Sequence, residues 1–132
     1  MNLIVCIDDM GGISFGSRRC SRDSAVYADI KLQCLGAALC VNAYSAKQFE
    51  GANNLIIDEN PAHRAGQGQY CFIENLPAED CGNIETLIIY RWNRRYPADN
   101  FLNIDLKNYK LISSRDFPGS SHESITKEVY VK

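Results

Sequence analysis

The stretch "TLIIYRWNRRYPADNFLNIDLKNYKLISSRDF", residues 86–117, decides how the chain is read. It opens on an apolar run, Leu87 to Ile89, that leads without a break into Tyr90, Arg91 and Trp92. A continuous run of this kind is expected of a strand covered on both faces. A polar connection with Pro97 and Asp99 follows, and "YKLISS" then starts a second strand. Farther on, in "ITKEVYVK" (125–132), Ile125, Lys127, Val129 and Val131 alternate with polar or aromatic neighbours. The last third of the chain is therefore a succession of strands.

Toward the N-terminus the pattern changes to strands separated by helices. "LIVCI" (3–7) is continuous and apolar, as in a central strand, and "DDMGGISFGSRRC" after it is turn chemistry. A helix is predicted from Ser21, which can cap it; Val26, Ile30 and Cys34 recur at four-residue spacing, and Gly36 ends it. "ALCVN" (38–42) reads as a strand, "SAKQF" (45–49) as a short helix, and "NLIID" (54–58) and "QYCFIEN" (69–75) as two more strands. This order predicts a single α/β domain over residues 1–132, with a mainly parallel sheet, antiparallel C-terminal strands and flanking helices. The strand at 3–7 is expected inside the sheet, between "ALCVN" and "TLIIYRW".

Composition narrows the function classes. The 132 residues are 45% apolar and 23% charged, ordinary for a globular chain, and the net charge is −2. Six cysteines form no CxxC pair; Cys6, Cys40 and Cys71 lie inside strand-like runs, where free thiols behave as small hydrophobes. The opening "MNLIVCIDDM" is too short for a signal h-region or a membrane span, so the expected location is cytoplasmic, with no membrane partner. Two histidines, His63 and His122, do not suffice for a hydrolase built on clustered histidine ligands, and no metal site is expected. "GGISFG" lacks the lysine of a phosphate loop, and "HRAGQGQ" carries no recognisable chemistry.

Six of the eight arginines fall in two short stretches, "RRCSR" (Arg18, Arg19, Arg22) and "RWNRR" (Arg91, Arg94, Arg95). Arginine grips planar anions through paired hydrogen bonds. Tyr90, Trp92 and Tyr96, interleaved with the second cluster, could stack nucleic-acid bases; the simpler reading turns alternate aromatics into the core. The net charge also weighs against a nucleic-acid binder.

The order of these segments resembles the dihydrofolate reductase fold family. "LIVCIDDMGGIS" is similar to that family's opening strand and glycine-containing substrate loop, and "LCVNAYSAKQF" to its strand and short helix with Met-Gly-Arg-x-Thr. "NLIID" matches its Asn-Ile-Val-Leu-Ser strand, and residues 86–117 with "KEVYV" match its closing strands and hairpin. The C-terminal "GSSHE" and "IT" also resemble short, uncharacterised clostridial-type proteins ending in GSSHE-x-IT-x-E-x-Y.

The resemblance implies an NADPH-dependent reductase of a pterin-like molecule, but three departures disfavour the cofactor. Glu74-Asn75 stands where the family has Gly-Gly beside the pyrophosphate, and a carboxylate there repels phosphate. Asn42-Ala43 replaces the family's Gly-Arg, and only about ten residues join the third and fourth strands. Asp23 aligns with the family's substrate-binding carboxylate and is the implied catalytic residue; Ser45 keeps the hydroxyl of its phosphate-contacting Thr.

The leading expectation is a protein that binds a small anionic ligand: a nucleotide, a phosphorylated metabolite or a pterin-like compound. Asp8, Asp23, Arg18, Arg19 and Ser45 would line its cleft, with Arg91, Arg94 and Arg95 at the rim. The two arginine clusters are expected to meet there. The alternatives are an NAD(P)H-dependent reductase and a structural or nucleic-acid-interaction protein; a homodimer is also open. "SSHE" (120–123) is expected to be a hairpin loop.

Overall fold

A computed structural model describes residues 1–78 and 81–132. The central strand β1 (Asn2–Ile7) sends Leu3, Val5 and Ile7 to one face and Ile4 and Cys6 to the other. Both faces are buried, which is why this segment has no polar alternation.

A second, small sheet follows, with β2 (Gly12–Phe15) and β3 (Arg18–Arg19). Helix α1 (Ser24–Gln33) then crosses one face of the main sheet, burying Val26, Tyr27 and Ile30. Its cap is Asp23, not Ser21: the Asp23 carboxylate accepts from the Ala25 N–H at 2.9 Å. The helix ends at Cys34, and Gly36 reverses the chain at φ +81°.

Strand β4 (Leu39–Val41) leads into α2 (Ala43–Ala46) and a 3-10 turn (Lys47–Phe49). The short helix thus begins two residues before the predicted "SAKQF", because the Asn42 side chain caps it by accepting from Ser45 N–H. Next come β5 (Leu55–Ile57), the one-turn α3 (Pro61–Arg64) and β6 (Tyr70–Ile73). The chain closes with β7 (Thr86–Arg91), β8 (Asn100–Phe101), β9 (Lys110–Phe117) and β10 (Ile125–Val131).

The main sheet has the order β5-β4-β6-β1-β7-β10-β9, and the small one β3-β2-β8. Strands β4, β5, β6, β1 and β7 run parallel, while β10 is antiparallel to β7 and β9 to β10. The mixed sheet with an antiparallel C-terminal edge is thus as expected, and β1 is interior. One neighbour differs: β1 pairs with β6, and "ALCVN" lies one strand farther out. A helix about 10 Å wide covers roughly two strand spacings of 4.8 Å, so the crossover through α1 skips a position that β6 later fills.

Two cores result. Tyr27, Phe49 and Phe72 pack edge-to-face beneath α1, with ring centroids 5.6–6.2 Å apart. The opposite face gathers Leu3, Val5, Ile73, Leu87 and Ile89 under the connecting segments. Tyr90 and Trp92, weighed above as base-stacking groups, are both buried in the α1-side core. The Tyr90 hydroxyl donates to Asp29 at 2.6 Å. They cannot serve as an exposed stacking platform.

Candidate functional site

In a parallel sheet, ligand crevices open at the carboxyl ends of the strands, where neighbouring connections diverge. Here that position lies beyond β1, β4 and β6, and it is filled from within. Glu74, one residue past β6, is only 5% exposed. Its carboxylate accepts from Arg19 Nε and Nη2, each at 3.0 Å, from the Tyr27 hydroxyl at 2.5 Å and from Ser45 Oγ at 2.7 Å. Arg19 also lies over the Tyr44 ring, 4.1 Å from its centroid. Beside it, Asn42 donates to Asn75 at 2.9 Å, and Asn75 donates to the Ser17 carbonyl at 3.1 Å.

The energetics follow from burial. A buried carboxylate persists in charged form only when paired and hydrogen-bonded, and the Arg19 fork supplies both. Burial alone would lower the Arg19 pKa, but the hydrogen bond and charge of Glu74 raise it. Burial, with Glu74 adding to it, pushes the Tyr27 phenol far above its ordinary range, so it remains a donor. Burial also raises the Cys6 thiol, and Glu74 adds to that shift.

The NADPH dinucleotide that the resemblance implies does not fit these residues. Its pyrophosphate needs close backbone approach and donors at the end of β6, where the side chain of Glu74 presents a buried carboxylate already bound to Arg19. Ser45 Oγ is turned inward to that same carboxylate.

Asp23, at the N-terminus of α1, is 1% exposed. Oδ1 accepts from Ala25 N–H, Ser120 N–H and Ser120 Oγ; Oδ2 accepts from Ser121 N–H and His122 N–H and lies 3.0 Å from His122 Nδ1. The "SSHE" segment does connect β9 to β10, and it wraps this carboxylate. Gly119 makes the wrap possible, since a Cβ there would sit 2.5 Å from Asp23 Oδ2. Burial would raise the Asp23 pKa, but the backbone donors of Ser120 and Ser121 and the His122 ring outweigh it and hold it far below the ordinary value. The His122 ring stacks on Trp92, with centroids 4.7 Å apart.

The remaining expected site residues scatter. Asp8 is buried at the end of β1, and its carboxylate accepts from Met10, Gly12 and Tyr96 N–H groups, tying the β1–β2 turn to the β7–β8 connection. The two arginine-bearing loops do touch: Cys20 Sγ contacts the Pro97 carbonyl at 3.6 Å, and Gly16 N–H donates to Asp99. Their guanidiniums diverge, however. Arg19 turns to Glu74, and Arg91 pairs with Glu128 on β10 at 2.6 Å. Arg18, Arg94 and Arg95 are exposed and make no ion pair among the described residues. Arg94 lies beside His122 and Ser124, and Arg95 beside Tyr96 and Pro97.

A different cationic surface was not singled out by sequence. A groove of about 770 Å³ runs along the outer flank of α1 to the 3-10 turn. Arg22, Lys31 and Lys47 line it, together with Ser21, Ser24 and Ser121 and the single exposed acid Glu50. Lys31 and Lys47 are isolated in sequence and belong to no cluster, so no local signal marked them; only helix packing brings them to one groove. No group of three or more possible metal ligands occurs among the described residues. Nor does any helix among them have the length and apolarity to cross a membrane.

No protein-family model matches the chain, and no curated protein matches it. Solved structures do. Dihydrofolate reductase from Enterococcus faecalis, complexed with NADP(H) and RAB-propyl, is 12% identical, with a TM-score of 0.69 over 98% of this chain and 94% of that one. Identity at this level speaks for architecture alone: the chain has a dihydrofolate reductase-like fold.

Proposed function

We propose that the protein binds a small anionic ligand in the groove between α1 and the 3-10 turn. The observation that carries this reading is the convergence of Arg22, Lys31 and Lys47 around serine hydroxyls, with Glu50 as the one opposing exposed charge. None of the three cations makes an ion pair among the described residues. Gathered like charges raise the free energy of the empty site at low salt, and an anion relieves it. This moves the anion site away from the rim expected at Arg91, Arg94 and Arg95. A nucleotide, a phosphorylated metabolite or a carboxylated ring compound would each supply the required group.

The test is calorimetric titration with inorganic phosphate, nucleotides and folates at low and high salt. Saturable binding that weakens in Lys31→Ala and in Lys47→Ala, more at low salt than at high, supports the site; indifference to both substitutions removes it. The NAD(P)H-dependent reductase is the second reading, and Glu74 stands against it. No saturable NADPH binding is expected at micromolar concentration, and a fluorescence titration decides the point. Cys6, Cys20, Cys34, Cys40 and Cys71 are thiols, in keeping with a reducing, cytoplasmic environment.

A further inference from the structure

The ring of His122 has a second nitrogen, and its surroundings carry an inference beyond ligand binding. Nε2 lies 3.1 Å from Ser21 Oγ and 2.8 Å from the Tyr96 hydroxyl. Nδ1 meets the Asp23 carboxylate at 3.0 Å. Carboxylate, imidazole and serine hydroxyl in this order, each within hydrogen-bond reach, constitute the arrangement that activates a serine nucleophile. The three residues come from the turn before α1 and from the β9–β10 connection.

Each part is held in place. Asp23 is buried and saturated by the chain's own donors, so it remains a carboxylate that orients the ring. The Trp92 stack fixes the imidazole plane. Ser21 is partly exposed and opens onto the groove that holds Arg22, Lys31 and Lys47. The backbone N–H of Arg22, the residue after the serine, donates to no acceptor among the described residues and is available to an oxyanion. Tyr96 shares Nε2 with Ser21 and is a positioning residue.

We propose that Ser21, His122 and Asp23 form a nucleophilic relay that hydrolyses small carboxylic esters bearing an anionic arm. The relay rests on its own geometry; only the anionic arm rests on the groove reading. As Ser21 Oγ bonds to the carbonyl carbon, its proton passes to His122 Nε2. Collapse of the tetrahedral adduct breaks the bond to the alcohol oxygen, which leaves with that proton. Water then gives a proton to Nε2 and attacks the acyl-serine; the acid departs as Ser21 Oγ recovers the proton.

The full chain is incubated with diisopropyl fluorophosphate, an uncharged probe that phosphorylates activated serines with loss of fluoride. Intact-mass and peptide analysis should show one adduct, on Ser21, absent in Ser21→Ala, retained in Ser113→Ala and at least about a hundredfold slower in His122→Gln. The site of the adduct on the native chain tests the relay even if His122→Gln unfolds the chain. No adduct, an adduct on another serine, or a folded His122→Gln variant labelled at the native rate overturns the relay. A second arm compares p-nitrophenyl acetate with p-nitrophenyl hemisuccinate. Preference for the charged ester, abolished in Lys31→Ala/Lys47→Ala, supports the anionic arm. Labelling of Ser21 without that preference upholds the relay and overturns the arm.

Discussion

The crevice beyond β1, β4 and β6 and the groove along the outer flank of α1 share a wall. Tyr27 forms it, with its hydroxyl on Glu74 and its side chain lining the groove. On one side, every charged group is matched: Arg19, Ser45 and Tyr27 converge on one carboxylate. On the other, Arg22, Lys31 and Lys47 face solvent with little to neutralise them. A charge withdrawn from water must bring its partner along, whereas a hydrated charge can wait for a ligand. Arginine count therefore misleads as a guide to binding, because the guanidinium most deeply embedded in the cleft is already occupied.

The sealed side should respond most strongly to mutation. Glu74→Leu strands Arg19 and leaves Tyr27 and Ser45 without an acceptor, so a loss of about 4 kcal/mol is expected in urea denaturation. Adding Arg19→Met should recover most of it, since apolar groups of similar volume replace buried ion pairs with little penalty. If the double variant is as unstable as the single, the ion pair is not what closes the crevice.

Asp23→Asn comes next, at about 3 kcal/mol near neutral pH, because one acceptor oxygen becomes a donor facing donors. The pH dependence has a definite sign. Asp23 is held below the roughly 3.9 of an unfolded aspartate, so the folded chain binds fewer protons there. Its contribution is complete above about pH 5, fades as acidification passes the unfolded value of about 3.9, and is lost through the lower folded one. Urea midpoints of native and Asp23→Asn protein should accordingly converge toward pH 2.5. A constant gap would mean that the carboxylate's charge is not what the loop holds.

Gly119→Ala tests the same wrap sterically. Its Cβ would meet Asp23 Oδ2 at 2.5 Å and the His122 carbonyl at 2.7 Å, so a loss of about 2 kcal/mol is expected, with the damage confined to the 118–122 segment in hydrogen exchange. The open side should show the smallest effect on stability. Lys31→Ala and Lys47→Ala should each change it by less than about 0.5 kcal/mol. Each should weaken anion binding about tenfold at low salt and less at high salt.

Much of the architecture was legible before any coordinates. Apolar runs marked β1, β6 and β7, and the four-residue spacing of Val26, Ile30 and Cys34 marked α1. Asp23 stood out by alignment, but its surroundings did not: apart from Ala25, its donors come from residues 120–122, about a hundred positions away. "SSHE" read only as a hairpin loop, and nothing in it pointed to Ser21 and Tyr96, whose hydroxyls reach the His122 ring. Residue types and order were visible; which of them share a hydrogen bond was not.

The sequence by itself determined the strand and helix segments, the parallel-then-antiparallel character of the sheet, and the presence of a carboxylate at the end of β6. These follow from periodicity and turn chemistry within a few residues, where backbone geometry dictates which side chains share a face. Only the tertiary structure decided that β6 lies between β1 and β4, that Arg19 chooses Glu74 while Arg91 chooses Glu128, and that Asp23, His122 and Ser21 come into line. Those choices depend on how the crossovers bring distant loops together. A buried polar group takes whichever partner that packing places within about 3 Å, whatever its distance along the chain.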